Sequence, residues 1–340
     1  MERHPLLATL TVDHPATLAR AISIVENGRP GFEQLLSALH SKIGRAHRIG
    51  ITGPPGAGKS TLTHQLATTY RSRGMTVAIV AVDPTSPFTG GALLGDRIRM
   101  EGVALDPGVF IRSMATRGSL GGLAVSTREV CDVLDAAGFD RILIETVGVG
   151  QSELDVGRMA DSTILVLVPE SGDGIQTLKS GVMEIADVFV VNKADRPGAE
   201  KLQSEIEVTL GIRRGNALRR IRGHHGTAPS PVAAPADDAW EPPVLLASAT
   251  NAQGIDAIVA AVAAHHMAID ATGELRERRR RRLALRTRDV VNRAVDRWVW
   301  REAKTETVIA DRIDDMFAGR MSPYQVAALV VAGLKEGALS

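Results

Sequence analysis

Gly53-Pro54-Pro55-Gly56-Ala57-Gly58-Lys59-Ser60 is the stretch that decides the fold. It fits the pattern G-x-x-x-x-G-K-[ST], a phosphate-cradling loop that needs a strand before it and a helix after it. Both are present: Arg48 to Thr52 reads as a short strand and Lys59 to about Arg73 as a helix. Glycines let backbone N–H groups wrap phosphate oxygens without Cβ clashes. The helix that follows aims its positive dipole end at the same oxygens. Lys59 is placed to reach the β- and γ-phosphates and the Ser60 hydroxyl to ligate Mg²⁺. Thr61 belongs to the same helix start, so Gly53 to Thr61 are all expected to contact nucleotide.

Outward from the loop, further apolar runs occur at Val77 to Val82, Ile142 to Ile144, Ile164 to Val168, Val188 to Val191 and Val244 to Leu246. Continuous apolar runs are what strands buried on both faces look like. Helical stretches lie between most of them, which predicts an α/β fold: a doubly wound, mostly parallel sheet flanked by helices. Ala16 to Val25 and Phe32 to Ile43 read as two N-terminal helices split by Asn27-Gly28-Arg29-Pro30-Gly31. Residues 213 to 243, rich in Arg, Gly, Pro and Ala, read as a loop insertion. Beyond Gly254 the chain reads as helical, with one long helix from Glu274 to about Trp300 and a last helix opened by Ser322-Pro323. The predicted organisation is a helical segment over 1–45, a P-loop domain over 46–270 and a helical arm over 271–340.

The 340 residues are 44% hydrophobic and 23% charged, ordinary for a globular protein. The net charge of +1 gives no bulk field toward nucleic acid or membrane. A single cysteine, Cys131, excludes a disulfide framework. The N-terminus carries no long apolar segment, so a cytoplasmic location is the expectation, with no membrane and no nucleic-acid partner.

Mg²⁺ takes few protein oxygens and keeps water and phosphate as its other ligands. Asp83 and Glu145 each follow an apolar strand, so a doubly wound sheet brings both to its carboxyl edge beside Ser60. Asp96, in a Gly-rich loop, is a third candidate. Val188-Phe189-Val190-Val191-Asn192-Lys193-Ala194-Asp195 is a strand ending in N-K-x-D. The Asp195 carboxylate can accept from guanine N1–H and the 2-amino group, a donor pair that adenine lacks. Asn192 would tie this loop to the phosphate loop, and the Lys193 stem can lie over the base. Ser248, Ala249 and Thr250 end the next strand and offer backbone N–H groups to the guanine carbonyl. These residues predict GTP or GDP as the ligand. Glu145-Thr146-Val147-Gly148 stands where small GTPases carry D-x-x-G; Val149 follows where a water-orienting glutamine often sits, and Gln151 comes two residues later. Slow intrinsic hydrolysis is the expectation.

Longer stretches carry a resemblance. Val82-Asp83-Pro84-Thr85-Ser86-Pro87-Phe88-Thr89-Gly90-Gly91, Leu94-Gly95-Asp96-Arg97-Ile98-Arg99-Met100, Arg117-Gly118-Ser119-Leu120-Gly121-Gly122-Leu123-Ala124, Glu145 to Glu153 and Met183-Glu184-Ile185-Ala186-Asp187 are similar to the MeaB/ArgK family. Members are G-protein chaperones of cobalamin-dependent acyl-CoA mutases, and the resemblance covers roughly residues 15 to 300. It implies that Asp83, Asp96 and Glu145 are the Mg²⁺-linked acids. It implies a third switch near Gly172 to Gly181 that faces the mutase, with Lys179 a functional lysine. It implies C-terminal helices that form a homodimer and a partner that binds adenosylcobalamin, the GTPase gating cofactor loading. The third switch, Gly172-Asp173-Gly174-Ile175-Gln176-Thr177-Leu178-Lys179, departs from the D-x-L-Q-G-I-K type run.

Other features read more plainly. The run Arg276 to Arg282 would spread around every face of a helix and reads as solvated or dimer-facing. His224-His225 and His265-His266 lack accompanying Cys or clustered acids and read as surface histidines. Without a D-x-H-x-x-G signature, no cobalamin ligation by the chain's own histidine is expected. A nickel-delivering GTPase would need a His- or Cys-rich tract, and a kinase an acceptor pocket with a base; the sequence displays neither.

Overall fold

The apolar runs become strands of one sheet because helices cover both of its faces. The computed structural model describes residues 5–83, 101–115, 122–146, 152–169, 181–213 and 240–337. The strands are β1 (His47–Thr52), β2 (Val77–Asp83), β3 (Val109–Ala115), β4 (Arg141–Thr146), β5 (Ser162–Leu167), β6 (Val188–Val191) and β7 (Val244–Leu246). Their order is β3-β2-β4-β1-β5-β6-β7, every neighbouring pair parallel. After β1 the chain builds one side of the sheet and then, from β5, the other. The order therefore reverses beside β1, and a crevice opens outside the carboxyl ends of the strands at such a point.

Along β2, Val77 and Ile79 face a core shared with Leu62 and Leu66 of α3 (Lys59–Ser72) and Ile258 and Val262 of α7 (Ile255–Ala271). Ala78 and Val80 point the other way. They meet Leu18 and Ile22 of α1 (Pro15–Glu26), Leu35 of α2 (Phe32–Leu39), and Val130 and Leu134 of α4 (Gly122–Ala137). Strand period 2 against helix period 3.6 thus accounts for the pattern. A third cluster, with Leu165, Leu167, Phe189 and Val191, lies under Leu202 and Ile206 of α6 (Ala199–Arg213). Cys131 is buried in α4, and burial pushes its thiol up to about 12, leaving it inert at neutral pH. Among the described residues no single helix is long and apolar enough to cross a membrane.

The chain divides into compact units at Met1–Arg279 and Arg280–Ser340. The second contains most of α8 (Glu274–Arg297), a π-turn at Trp298–Glu302, α9 (Thr305–Phe317) and α10 (Pro323–Lys335). Ser322 and Gln325 cap α10 reciprocally: Gln325 N–H donates to Ser322 Oγ at 3.3 Å and Ser322 N–H to Gln325 Oε1 at 2.8 Å.

The structure differs from the sequence reading at four places. β3 was not legible as a strand because Arg112 and Ser113 interrupt its apolar run, which an edge strand tolerates. α2 stops at Leu39 and passes into a 3₁₀ turn, His40–Lys42. His265 is fully buried rather than a surface histidine, whereas His224-His225 lie outside the described residues, as do 214–239 of the loop insertion. Two of the arginines in the run near 280 are specific clamps. Arg279 forms a two-pronged pair with Asp161, at 3.2 and 2.9 Å, and also donates to the Gly44 and Ala46 carbonyls. Arg278 donates to Asp187 at 3.2 Å and to Glu274 at 2.9 Å. A planar guanidinium suits this bidentate geometry better than an ammonium.

Phe189 is the largest side chain in its cluster and fully buried. Phe189→Ala should lower the unfolding free energy by about 3–5 kcal/mol. Urea denaturation measures this, and a loss below about 1 kcal/mol would contradict the packing described.

Candidate nucleotide site

The loop between β1 and α3 is built on glycines, two of which are packed too closely to carry a side chain. At Gly53, with φ +142°, a Cβ would collide with the Val166 carbonyl of β5. At Gly58, with φ +87°, it would collide with the Asn192 side-chain amide. Gly56, with φ +75°, faces open space and adopts the left-handed conformation that favours glycine. Gly58, at the N-cap of α3, has no side chain to cap the helix, and the α3 N-terminus opens onto this loop, the arrangement that binds anions.

Lys59 is buried along its stem, and its ammonium donates to the carbonyls of Gly53 and Pro54 at 2.8 and 2.9 Å. This holds the positive charge over the loop. Ser60 Oγ donates to Glu145 Oε1 at 2.5 Å. The parallel register sets Ile51 beside Glu145, which delivers the end of β4 to the start of α3. Thr146 and Thr52 side chains meet at 3.3 Å and close the same corner. A hydroxyl and a carboxylate in contact are hard oxygen donors, a set that fits Mg²⁺ and not a soft metal. Asp83 ends β2 at the same carboxyl edge, its backbone one residue beyond the Val82–Thr146 pairing. Asp96, Gln151 and Lys179 lie outside the described residues.

At the end of β6, Asn192 is buried and joins three segments. Its Nδ2 donates to the Ala57 carbonyl at 2.8 Å, its Oδ1 accepts from Ala249 N–H at 3.0 Å, and its own N–H donates to Leu167 O at 2.8 Å. Lys193 follows in the left-handed region at φ 56°, a conformation a non-glycine residue holds only when its surroundings fix it. Here Ala194 N–H donates to Ala247 O at 2.9 Å. Asp195 is exposed, and Ser248 Oγ donates to its Oδ1 at 2.6 Å. That hydroxyl, with Asp195's own backbone N–H, holds the carboxyl below its usual range. Ser248 also accepts from Asn251 Nδ2 at 3.0 Å, while Ala249 and Thr250 sit in the 3₁₀ turn Ala249–Asn251. Sequence reasoning missed Asn251 and the carbonyl of Val166. An Asn three residues after a strand-end Ser is a turn signal that could have marked the first; nothing local marks the second.

An anion cradle, a cation over it and an ionised acceptor on the adjoining strand end suit a ligand with phosphates at one end and a guanine-type donor pair at the other. Because Asp195 is held below the ordinary carboxylate value, its acceptor role persists at neutral pH and fails only as pH falls through that depressed value. Ser248→Ala removes the main cause, so loss of GDP affinity should begin at a higher pH. Titrations of GDP between about pH 7 and pH 3, a range that contains the ordinary Asp value of about 3.9, should show this offset. Superimposable profiles would contradict it.

Comparison with known proteins agrees with this geometry. The family model described as methylmalonyl-CoA mutase-associated GTPase MeaB matches residues 18–304. The GTPase ArgK of Escherichia coli is 38% identical over 269 residues, 77% of this chain and 75% of that protein. A protein named methylmalonic aciduria type A homolog, mitochondrial, from Caenorhabditis briggsae is 34% identical over 306 residues, 86% of this chain and 67% of that protein. A crystal structure of a LAO/AO transport system kinase aligns with a TM-score of 0.64 at 27% identity, covering 98% of this chain and 99% of that one. A P-loop GTPase by these comparisons and by its site, the chain belongs to the MeaB family of mutase-associated GTPases.

Proposed function

We propose that this GTPase is the chaperone of a cobalamin-dependent acyl-CoA mutase, gating adenosylcobalamin loading and reactivating the mutase when its cofactor is damaged. The observation that carries the reading is the Asn192 joint, which couples the phosphate loop to the base loop and so lets one nucleotide set both. A nucleotide can push on a partner only through states it binds unequally. The family description, methylmalonyl-CoA mutase-associated GTPase, supports the mutase as that partner.

Mg²⁺ would be held by Ser60 and Glu145, with Asp83 and Asp96 completing the acidic set. It would neutralise phosphate charge, while Lys59 and the α3 N–H groups orient the phosphates. Gln151 would help position water, and Lys179 would act in the switch that meets the mutase. The second compact unit would form a homodimer: Phe317 and Tyr324 are 95% and 87% exposed, and Ile313, Leu329 and Val331 are exposed with them.

The test is GTP turnover by the purified chain with and without a cobalamin-dependent acyl-CoA mutase. Mutase should raise the rate by about tenfold or more, as partner-supplied transition-state contacts do. Lys59→Ala should abolish turnover, and Lys179→Ala should lose the stimulation while GDP affinity is kept. No complex with the mutase in the presence of a non-hydrolysable GTP analogue, together with unstimulated turnover, would overturn the proposal.

A further inference from the structure

Beyond Ser248, the hydrogen bonding around Asp195 runs one residue further than base recognition by itself requires. Ser248 is buried, and its hydroxyl donates to Asp195 Oδ1 at 2.6 Å. Asn251 Nδ2 donates to that same hydroxyl oxygen at 3.0 Å. Asn251 is exposed and closes the 3₁₀ turn Ala249–Asn251. Three side chains thus stand in line, amide to hydroxyl to carboxylate. The line ends on the group that accepts the guanine donor pair.

The donor count fits only one direction. A serine hydroxyl has one proton and two lone pairs. Asp195 is held below the usual carboxylate range, first by Ser248 and then by its own backbone N–H, so at neutral pH it only accepts. The Ser248 proton therefore goes to Asp195. Any side-chain atom bonded to the same Oγ must then be a donor, which selects the amide nitrogen of Asn251 over its oxygen. A hydroxyl that accepts a hydrogen bond is in turn a stronger donor. Asn251 also restrains the hydroxyl, which could otherwise rotate toward water.

The turn itself is closed by backbone. Ser248 and Gln253 exchange N–H to carbonyl bonds, each at 3.1 Å. Asn251 N–H donates to Ser248 O at 3.0 Å, and Ala252 N–H to Ala249 O at 3.3 Å. Ala252 takes the left-handed step at φ 55°. Gly254, at φ +76°, lies so close to the Leu246 carbonyl that a Cβ would collide with it. Ala249 N–H is already held by Asn192 Oδ1 at 3.0 Å. The Asn251 side chain adds one thing to this frame, its bond to Ser248.

We infer that Asn251 is a positioning residue for guanine recognition, acting through Ser248 to hold the Asp195 carboxylate where it accepts the base. Asn251→Ala removes the donor and leaves the Ser248 hydroxyl free to turn. Asn251→Asp does more. Its carboxylate competes with Asp195 for the single Ser248 proton and sets a second negative charge near the base acceptor. Preference for guanine should therefore fall in the order asparagine, alanine, aspartate at position 251.

Calorimetry of GDP and ADP binding to the full chain at neutral pH and matched magnesium tests this. The variants are Asn251→Ala, Asn251→Asp, Ser248→Ala and the double Ser248→Ala/Asn251→Ala. Asn251→Ala should lower the GDP-to-ADP affinity ratio about three- to tenfold, the range of one intramolecular hydrogen bond, with the change carried by GDP. Asn251→Asp should lower the ratio further, and it decides the matter should the alanine variant not fold. In the Ser248→Ala background, Asn251→Ala should cost nothing more, because the path to Asp195 is already cut. A residue that only shapes the turn would weaken both nucleotides alike and would add its loss to that of Ser248→Ala. Either of those results, an unchanged ratio in Asn251→Ala, or a ratio kept by Asn251→Asp would overturn the inference. Equal binding of GDP and ADP by the unaltered chain would remove the base site itself, and Asn251's role with it.

Discussion

The structure depends on one side-chain amide. Asn192 holds the carbonyl of Ala57 with its nitrogen and the N–H of Ala249 with its oxygen, and it is buried while doing so. A buried amide with unmade hydrogen bonds costs about 1–3 kcal/mol, so the phosphate loop and the base loop cannot separate without that loss. Gly58 is glycine for the same reason, because any Cβ there would displace the amide. The register of the parallel sheet does the rest. It carries Glu145 to Ser60 and brings the end of β6 beside the end of β5.

The two edges of the sheet divide the work. At the carboxyl edge, backbone N–H groups, Lys59 and hard oxygens meet a ligand that arrives from solvent. At the amino edge, charges are neutralised within the protein: Arg48 by Asp132 and Asp135, Arg279 by Asp161, Arg278 by Asp187. Removing one partner of such a pair leaves a buried charge uncompensated, which costs more than the pair contributes. α7 connects the edges. It opens at Gly254, packed against Leu246, and carries His265 some ten residues later, roughly 15 Å along its axis.

Much of this was legible because the motifs are local. The phosphate loop, the strand ending in Asn192 to Asp195, and the acidic strand end at Glu145 each lie within one short segment whose residue types have separate physical reasons. The contacts of Lys59, Ser60 and Asn192 follow from those segments once the sheet is parallel. What escaped were features set by distant partners. β3 is a strand because β2 accepts it, not because its own sequence insists. His265 looks like a surface histidine until Ser162, Trp240 and Asp187, far apart in sequence, enclose it. Arg278 and Arg279 are indistinguishable in sequence from their neighbours; helical phase alone selects the two that meet Asp187 and Asp161.

The most direct measurement is equilibrium binding of GDP and ADP to the purified chain by calorimetry, at matched salt and magnesium. With Asp195 accepting a donor pair that only guanine offers, GDP should bind tighter by about tenfold or more, and Asp195→Ala should erase most of the difference. Equal affinity for the two nucleotides in the unaltered chain would contradict the account.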